Sequence, residues 1–175
     1  MNRTLVLMRH AKALAHSALG DRGRELAPRG WQEAQQAGRE LAGHGIQSVL
    51  CSASARTRQT VEALGLRVPG DGPVPVEYLD DLYLGTADAI RRRIGEVDDD
   101  ITGLLVVGHS PGIPTVAADL AWASKPQDAD TIQRWFPTAS YSQFRIDGPW
   151  AGLRDSDEGV RLTAIGRPGQ TTIQT

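Results

Sequence analysis

The chain has 175 residues, a formal net charge of −2 and a sequence pI near 6.1. That length suits a single domain with a full hydrophobic core, and the charge gives no electrostatic case for nucleic acid or an anionic membrane surface as partner. A lone cysteine, Cys51, leaves no internal disulfide, and the Cys and His positions lack zinc-ligand spacing, so neither metal nor cofactor is expected.

Apolar runs of strand length alternate with runs of helical periodicity, which predicts an α/β fold on a largely parallel sheet. Residues 4–8 read as the first strand. Over 30–42, Trp31, Ala34, Ala37, Gly38 and Leu41 recur at helical spacing, and Gly43 and Gly45 stop the helix. A second strand is expected at 48–51 and a helix at 55–64, with Ser54 as its N-cap. Proline and glycine make 66–75 a loop. A third strand over 74–78 is confined to a sheet edge by Pro75. Residues 88–97 form an amphipathic helix, 104–107 the most apolar strand and 115–122 another helix. Strands at 140–146 and 160–165 are joined by a hairpin connection over 147–159. The domain is expected to span 1–165, with 166–175 a polar, frayed tail. No basic leader precedes a cleavable apolar segment and the longest apolar runs are strand-sized, which predicts a cytoplasmic protein outside the membrane.

Three of these strands end in chemistry. Leu5-Val6-Leu7-Met8 runs into Arg9-His10, Leu50-Cys51-Ser52 leads to Arg56, and Leu104-Leu105-Val106-Val107-Gly108 runs into His109. Open α/β sheets bind ligands at their carboxyl edge. Two arginines there would grip phosphate oxygens bidentately and lower the pKa of His10 by repulsion, keeping it a neutral nucleophile. His109 would donate to a developing oxyanion. Gly108 and Gly112 would let backbone approach a ligand. His16 and His44, in polar turn-like surroundings, read as structural, and Cys51 as a small buried hydrophobe.

Leu7-Met8-Arg9-His10-Ala11 resembles the signature of the histidine phosphatase, or phosphoglycerate mutase-like, superfamily. Leu26 to Ala34 is similar to that family's helix entry, with Ala27 where Thr is usual. Ser52-Ala53-Ser54-Ala55-Arg56-Thr57-Arg58-Gln59-Thr60 resembles its Ser-x-x-x-Arg-x-x-x-Thr element, and Val107-Gly108-His109-Ser110-Pro111-Gly112 its second histidine motif. Arg9-His10-Ala11-Lys12-Ala13 and Phe136-Pro137-Thr138-Ala139 look like the SixA-type phosphohistidine phosphatase branch. The resemblance implies a three-layer α/β/α sandwich on a mostly parallel six-stranded sheet with one strand antiparallel. It implies that His10 becomes phosphorylated and that Arg9, Arg56 and His109 form the phosphate pocket.

The proton donor stays open. Laying the mutases' donor segment over Leu79-Asp80-Asp81-Leu82-Tyr83 puts Asp81 in the donor place, with Asp80 and Glu77 close enough to compete and a solvated Asp-Asp turn as the alternative. The expected activity is a metal-independent phosphatase with a phosphohistidine-bearing protein as partner. A small-molecule phosphomonoesterase and a non-catalytic phosphohistidine-binding module are the rival readings.

Overall fold

The protein is described here by a computed structural model covering residues 2–170 and the backbone of residues 173 and 174. Its centre is a sheet of six long strands: β1 (Asn2–Arg9), β2 (Ser48–Ser52), β3 (Val76–Leu79), β4 (Gly103–Gly108), β5 (Tyr141–Asp147) and β6 (Val160–Gly166). A short β7 (Ile173–Gln174) adds to β6, and the order across the sheet is β3-β2-β4-β1-β5-β6-β7. The strands β1 to β4 are mutually parallel, and β5 runs antiparallel between β1 and β6. The expected six-stranded sheet with one antiparallel member is therefore present. Gly166, assigned above to the tail, closes β6, and β7 pairs Ile173 and Gln174 with Ile165 and Ala164. Positions 171, 172 and 175 of that tail lie outside the described residues.

Helices cover both faces. One layer holds α1 (Pro28–Leu41) and α2 (Ala55–Leu64); the other holds α3 (Ala87–Ile94), α4 (Gly112–Trp122) and α5 (Pro126–Arg134). Leu5 and Leu7 of β1 face α3, α4 and α5, whereas Val6 and Met8 face α1, and β4 splits in the same way. This double burial is why both strands are continuous apolar runs instead of alternating ones. Pro28 begins α1 where its missing N–H costs nothing, and Ser54 caps α2 as expected. The third strand lies at the sheet edge, as Pro75 requires, displaced to begin just after that proline.

Two further elements depart from the sequence reading. Residues 67–68 and 72–73 pair as a small ribbon inside the anticipated loop. The helix α5 is polar along most of its length, burying only Ala129 and Ile132 against the core, so its periodic signal is too thin to read. Among the described residues no helix is long and apolar enough to cross a membrane.

The helices α1 and α2 meet at Gly38, where an added Cβ would stand 2.0 Å from the Leu64 carbonyl oxygen. Backbone cannot retreat as a side chain can. The Gly38→Ala variant is expected to lose about 1–3 kcal/mol of stability in thermal or denaturant unfolding. An unchanged midpoint would show that the two helices separate freely.

Candidate active site

The connections after β1 and β4 leave on opposite faces, to α1 and to α4. A crevice therefore opens at the carboxyl ends of these adjacent strands. Register makes the ends level: Arg9 stands opposite Gly108, and Cys51 opposite Val107. His10 extends β1 by one more bond, its N–H donating to the Gly108 carbonyl at 3.0 Å. The first turn of α2 supplies Arg56. Arg9, His10, Arg56 and His109 thus converge, as the strand ends predict, on a cavity of about 320 Å³. A larger cleft of about 480 Å³, lined by Leu41, Ile46, Leu66 and Val68, lies among the carboxyl ends of α1 and α2 and holds no candidate nucleophile.

The imidazole orientations follow from their partners. Nδ1 of His10 lies 2.8 Å from the Ala11 carbonyl oxygen, so Nδ1 carries the proton and Nε2 keeps its lone pair. That lone pair faces the Nε–H of Arg56 at 3.3 Å. Another Arg56 N–H points at Nδ1 of His109, also at 3.3 Å, and Nε2 of His109 bonds the buried Ser52 hydroxyl at 2.7 Å. The two rings stand edge to face with centroids 5.3 Å apart. Arg9 donates to the Phe136 carbonyl at 3.0 Å, while its buried Nε has no partner. Ser52 lies within the Ser-x-x-x-Arg-x-x-x-Thr element, but nothing in that pattern marks it as the partner of His109.

Both histidines are held neutral. Burial pushes the His10 pKa down to about 4; the Arg56, Arg9 and Arg24 charges add to this, and the Ala11 carbonyl opposes it. Burial likewise brings His109 down to about 3, helped by His10 and Arg56. Desolvation thus outweighs the arginine repulsion inferred from sequence.

The acid-donor candidates do not enter this cavity. The Asp81 carboxylate accepts from Arg93 at 2.8 Å and Arg92 at 2.9 Å, both on α3. Partial desolvation resists its ionised form, but these two bonds and charges prevail and hold its pKa below the ordinary carboxylate value. Asp80 is exposed and pairs with Arg22 at 2.9 Å, and Glu77 is exposed on β3. The carboxylate that does line the cavity is Asp21, in the single turn Asp21–Gly23. Its backbone carbonyl and its Oδ2 accept from Arg56 at 2.7 and 3.1 Å, Oδ1 accepts from Arg24 at 2.9 Å, and Oδ2 also accepts the Tyr83 hydroxyl proton. The Tyr83, Arg24 and Arg56 bonds hold it ionised, far below the usual range. No sequence pattern marks Asp21; only the polar, glycine-flanked turn around it hinted at a loop.

Gly112 serves a different end from the one expected. A Cβ there would stand 2.1 Å from the Gly85 carbonyl oxygen, so its absence admits the loop that carries Tyr83. His16 is exposed, and Nδ1 of His44 bonds the Gln143 side chain. Among the described residues no three His, Cys, Asp or Glu side chains are grouped to hold a metal ion.

Known proteins resemble this chain in sequence and fold. The sequence profile of the histidine phosphatase superfamily (branch 1) matches residues 5–94. The chain belongs to that superfamily. It is of the SixA type and a phosphatase: a structure from Nakamurella multipartitia, named as a candidate phosphohistidine phosphatase SixA, is 36% identical with a TM-score of 0.84, over 97% of this chain and 98% of that one. A protein histidine phosphatase SixA solved with tungstate has the same fold, with a TM-score of 0.70 at 21% identity over 98% and 96% of the two chains. An uncharacterized protein of Mycobacterium tuberculosis is 36% identical over 150 residues, 83% of this chain and 91% of its own length.

Neutral histidines at the site have a sign-definite consequence. The folded pKa values lie below the ordinary histidine value of 6.5, so between about 6.5 and 4 the unfolded chain binds protons that the folded chain refuses. These two groups therefore make stability fall as pH drops through that window. Ring resonances of His10 and His109 followed by NMR should stay those of neutral imidazole from pH 7 to well below 6. An inflection of either near 6.5 would mean that its ring is solvated.

Proposed function

We propose that this phosphatase removes the phosphoryl group from phosphohistidine on a protein partner, without a metal ion, through a phosphoryl group carried on Nε2 of His10, and that it does so in the cytoplasm. The observation that carries the reading is that, among the described residues, the cavity offers no protonated acid: its lining carboxylate, Asp21, is held ionised by three donors, and both imidazoles are neutral.

The lone pair of His10 Nε2 attacks phosphorus in line with the departing nitrogen while Arg9, Arg56 and His109 hold the three equatorial oxygens. As the new N–P bond forms, His10 becomes an N-phosphorylated imidazolium whose Nδ1–H stays bonded to the Ala11 carbonyl, which stabilises that charge. The substrate imidazole leaves with the electrons of the broken P–N bond. It can take its proton from bulk water on its distal nitrogen, so no acid is needed inside the cavity. An alkoxide has no second site for protonation and requires a donor in place, typically worth 10²–10⁴-fold. Water then attacks the phosphoryl group, and neutral His10 departs.

The chemistry predicts substrate ranking. The kcat/KM for a histidine-phosphorylated protein or phosphoramidate should exceed that for alkyl phosphate monoesters by at least ~10²-fold, with rates unchanged by dialysis against EDTA. Comparable rates on alkyl esters would favour a phosphomonoesterase, and a rate restored only by Mg²⁺ or Zn²⁺ would end the metal-free mechanism. His10→Ala should leave the circular dichroism spectrum intact and abolish incorporation of labelled phosphate. Asp81→Asn should change turnover of every substrate by less than about twofold, because its oxygens face Arg92 and Arg93; a selective loss on alkyl esters would restore it as the donor.

A further inference from the structure

Arg56 is 3% exposed at its side chain and divides its N–H groups between two kinds of partner. The Nε–H and one Nη2–H point inward, at His10 and His109, where a phosphoryl group would be held. The outer N–H groups are engaged by Asp21, through both its carbonyl and its carboxylate. The turn bearing Asp21 is clasped from outside as well: Tyr83 donates to Oδ2, Arg24 to Oδ1, and the Arg22 guanidinium lies 4.4 Å over the Tyr83 ring while pairing with Asp80. A fixed, ionised carboxylate therefore sits against the cation that an incoming phosphate must use.

We propose that Asp21 is a resident anion that sets the affinity of the pocket for phosphate, competing for Arg56 so that the product is bound weakly and released. The inference rests on the reading of this cavity as the phosphoryl site. Asp21 is bonded directly to Arg56; an opposite charge within about 4–6 Å favours a charged group by about one to three powers of ten in its ionisation equilibrium, and a like charge disfavours it. The Asp21 side chain is 47% exposed, so solvent screening puts the effect at the lower end. The geometry separates this role from two others. A proton donor would need Asp21 protonated, and three donors oppose that. A mere tether for Arg56 would be met by the backbone carbonyl, which holds the shorter of the two bonds.

Calorimetric titration with inorganic phosphate and with vanadate tests the proposal on wild type, Asp21→Asn and Asp21→Ala, with thermal unfolding as a check on folding. Both substitutions should tighten phosphate roughly tenfold and strengthen product inhibition by the same factor, while Asp21→Glu stays near wild type. Unchanged or weaker phosphate binding in both neutral variants would overturn the resident-anion role and make Asp21 a tether for Arg56. A lower kcat on alkyl phosphates with no tightening of phosphate would overturn it in favour of proton transfer. Failure of wild type to bind either anion would sink the phosphoryl-site reading and this inference together.

Discussion

The Arg56 guanidinium, almost wholly removed from water, reaches three parts of the chain at once: the end of β1 at His10, the end of β4 at His109 and the turn at Asp21. Arginine does not give up its proton under burial, so the fold must supply partners for the charge. Two of the partners are bare imidazole nitrogens, which accept hydrogen bonds only when neutral. The same contacts that satisfy the cation thus require both histidines to remain unprotonated, and burial holds them so. Around this one group the nucleophile, the second histidine and the charge complement of the pocket become interdependent.

The sheet makes that meeting possible through register alone. Since β1 and β4 pair as parallel neighbours, Arg9 falls beside Gly108 and the next residue of each strand enters the crevice together. These strands are legible in sequence because burial on both faces leaves Leu5 to Met8 and Leu104 to Val107 without a polar position. The candidate site residues at their ends are legible for the same reason: a charged or imidazole group directly after such a run stands out. Arg56 was readable from its place in the first turn of a helix that Ser54 caps.

What sequence did not show is whatever depends on tertiary meeting with no local pattern. Asp21 lies 35 residues from Arg56, in a turn whose composition suits any exposed loop. The family resemblance puts Asp81 in the donor place, but α3 turns Arg92 and Arg93 toward it, and a carboxylate between two guanidinium groups is a structural tie. The run Arg91-Arg92-Arg93 was the available signal, since three cations on one short helix invite a nearby acid. The helix α5 carries little sequence signal because its core contact rests on Ala129 and Ile132 and on the packing of α4 against it.

Ser52 explains how His109 can take part without a second ionisable partner. With Arg56 donating to Nδ1, the His109 proton sits on Nε2 and is given to the Ser52 hydroxyl. A phosphoryl oxygen arriving between Arg56 and His109 needs the opposite arrangement, a proton on Nδ1. Ser52 permits the exchange, because a hydroxyl accepts in one rotamer of its proton and donates in the other, with no movement of heavy atoms. A carboxylate in its place would fix the proton on Nε2 and raise the pKa of the ring, favouring an imidazolium. The proposed pocket would then present an imidazolium to phosphate, with a carboxylate behind it, in place of two neutral groups. A neutral hydroxyl behind a neutral imidazole would let the proposed site donate to phosphate when phosphate is present, and it lets His109 accept from Arg56 when it is not.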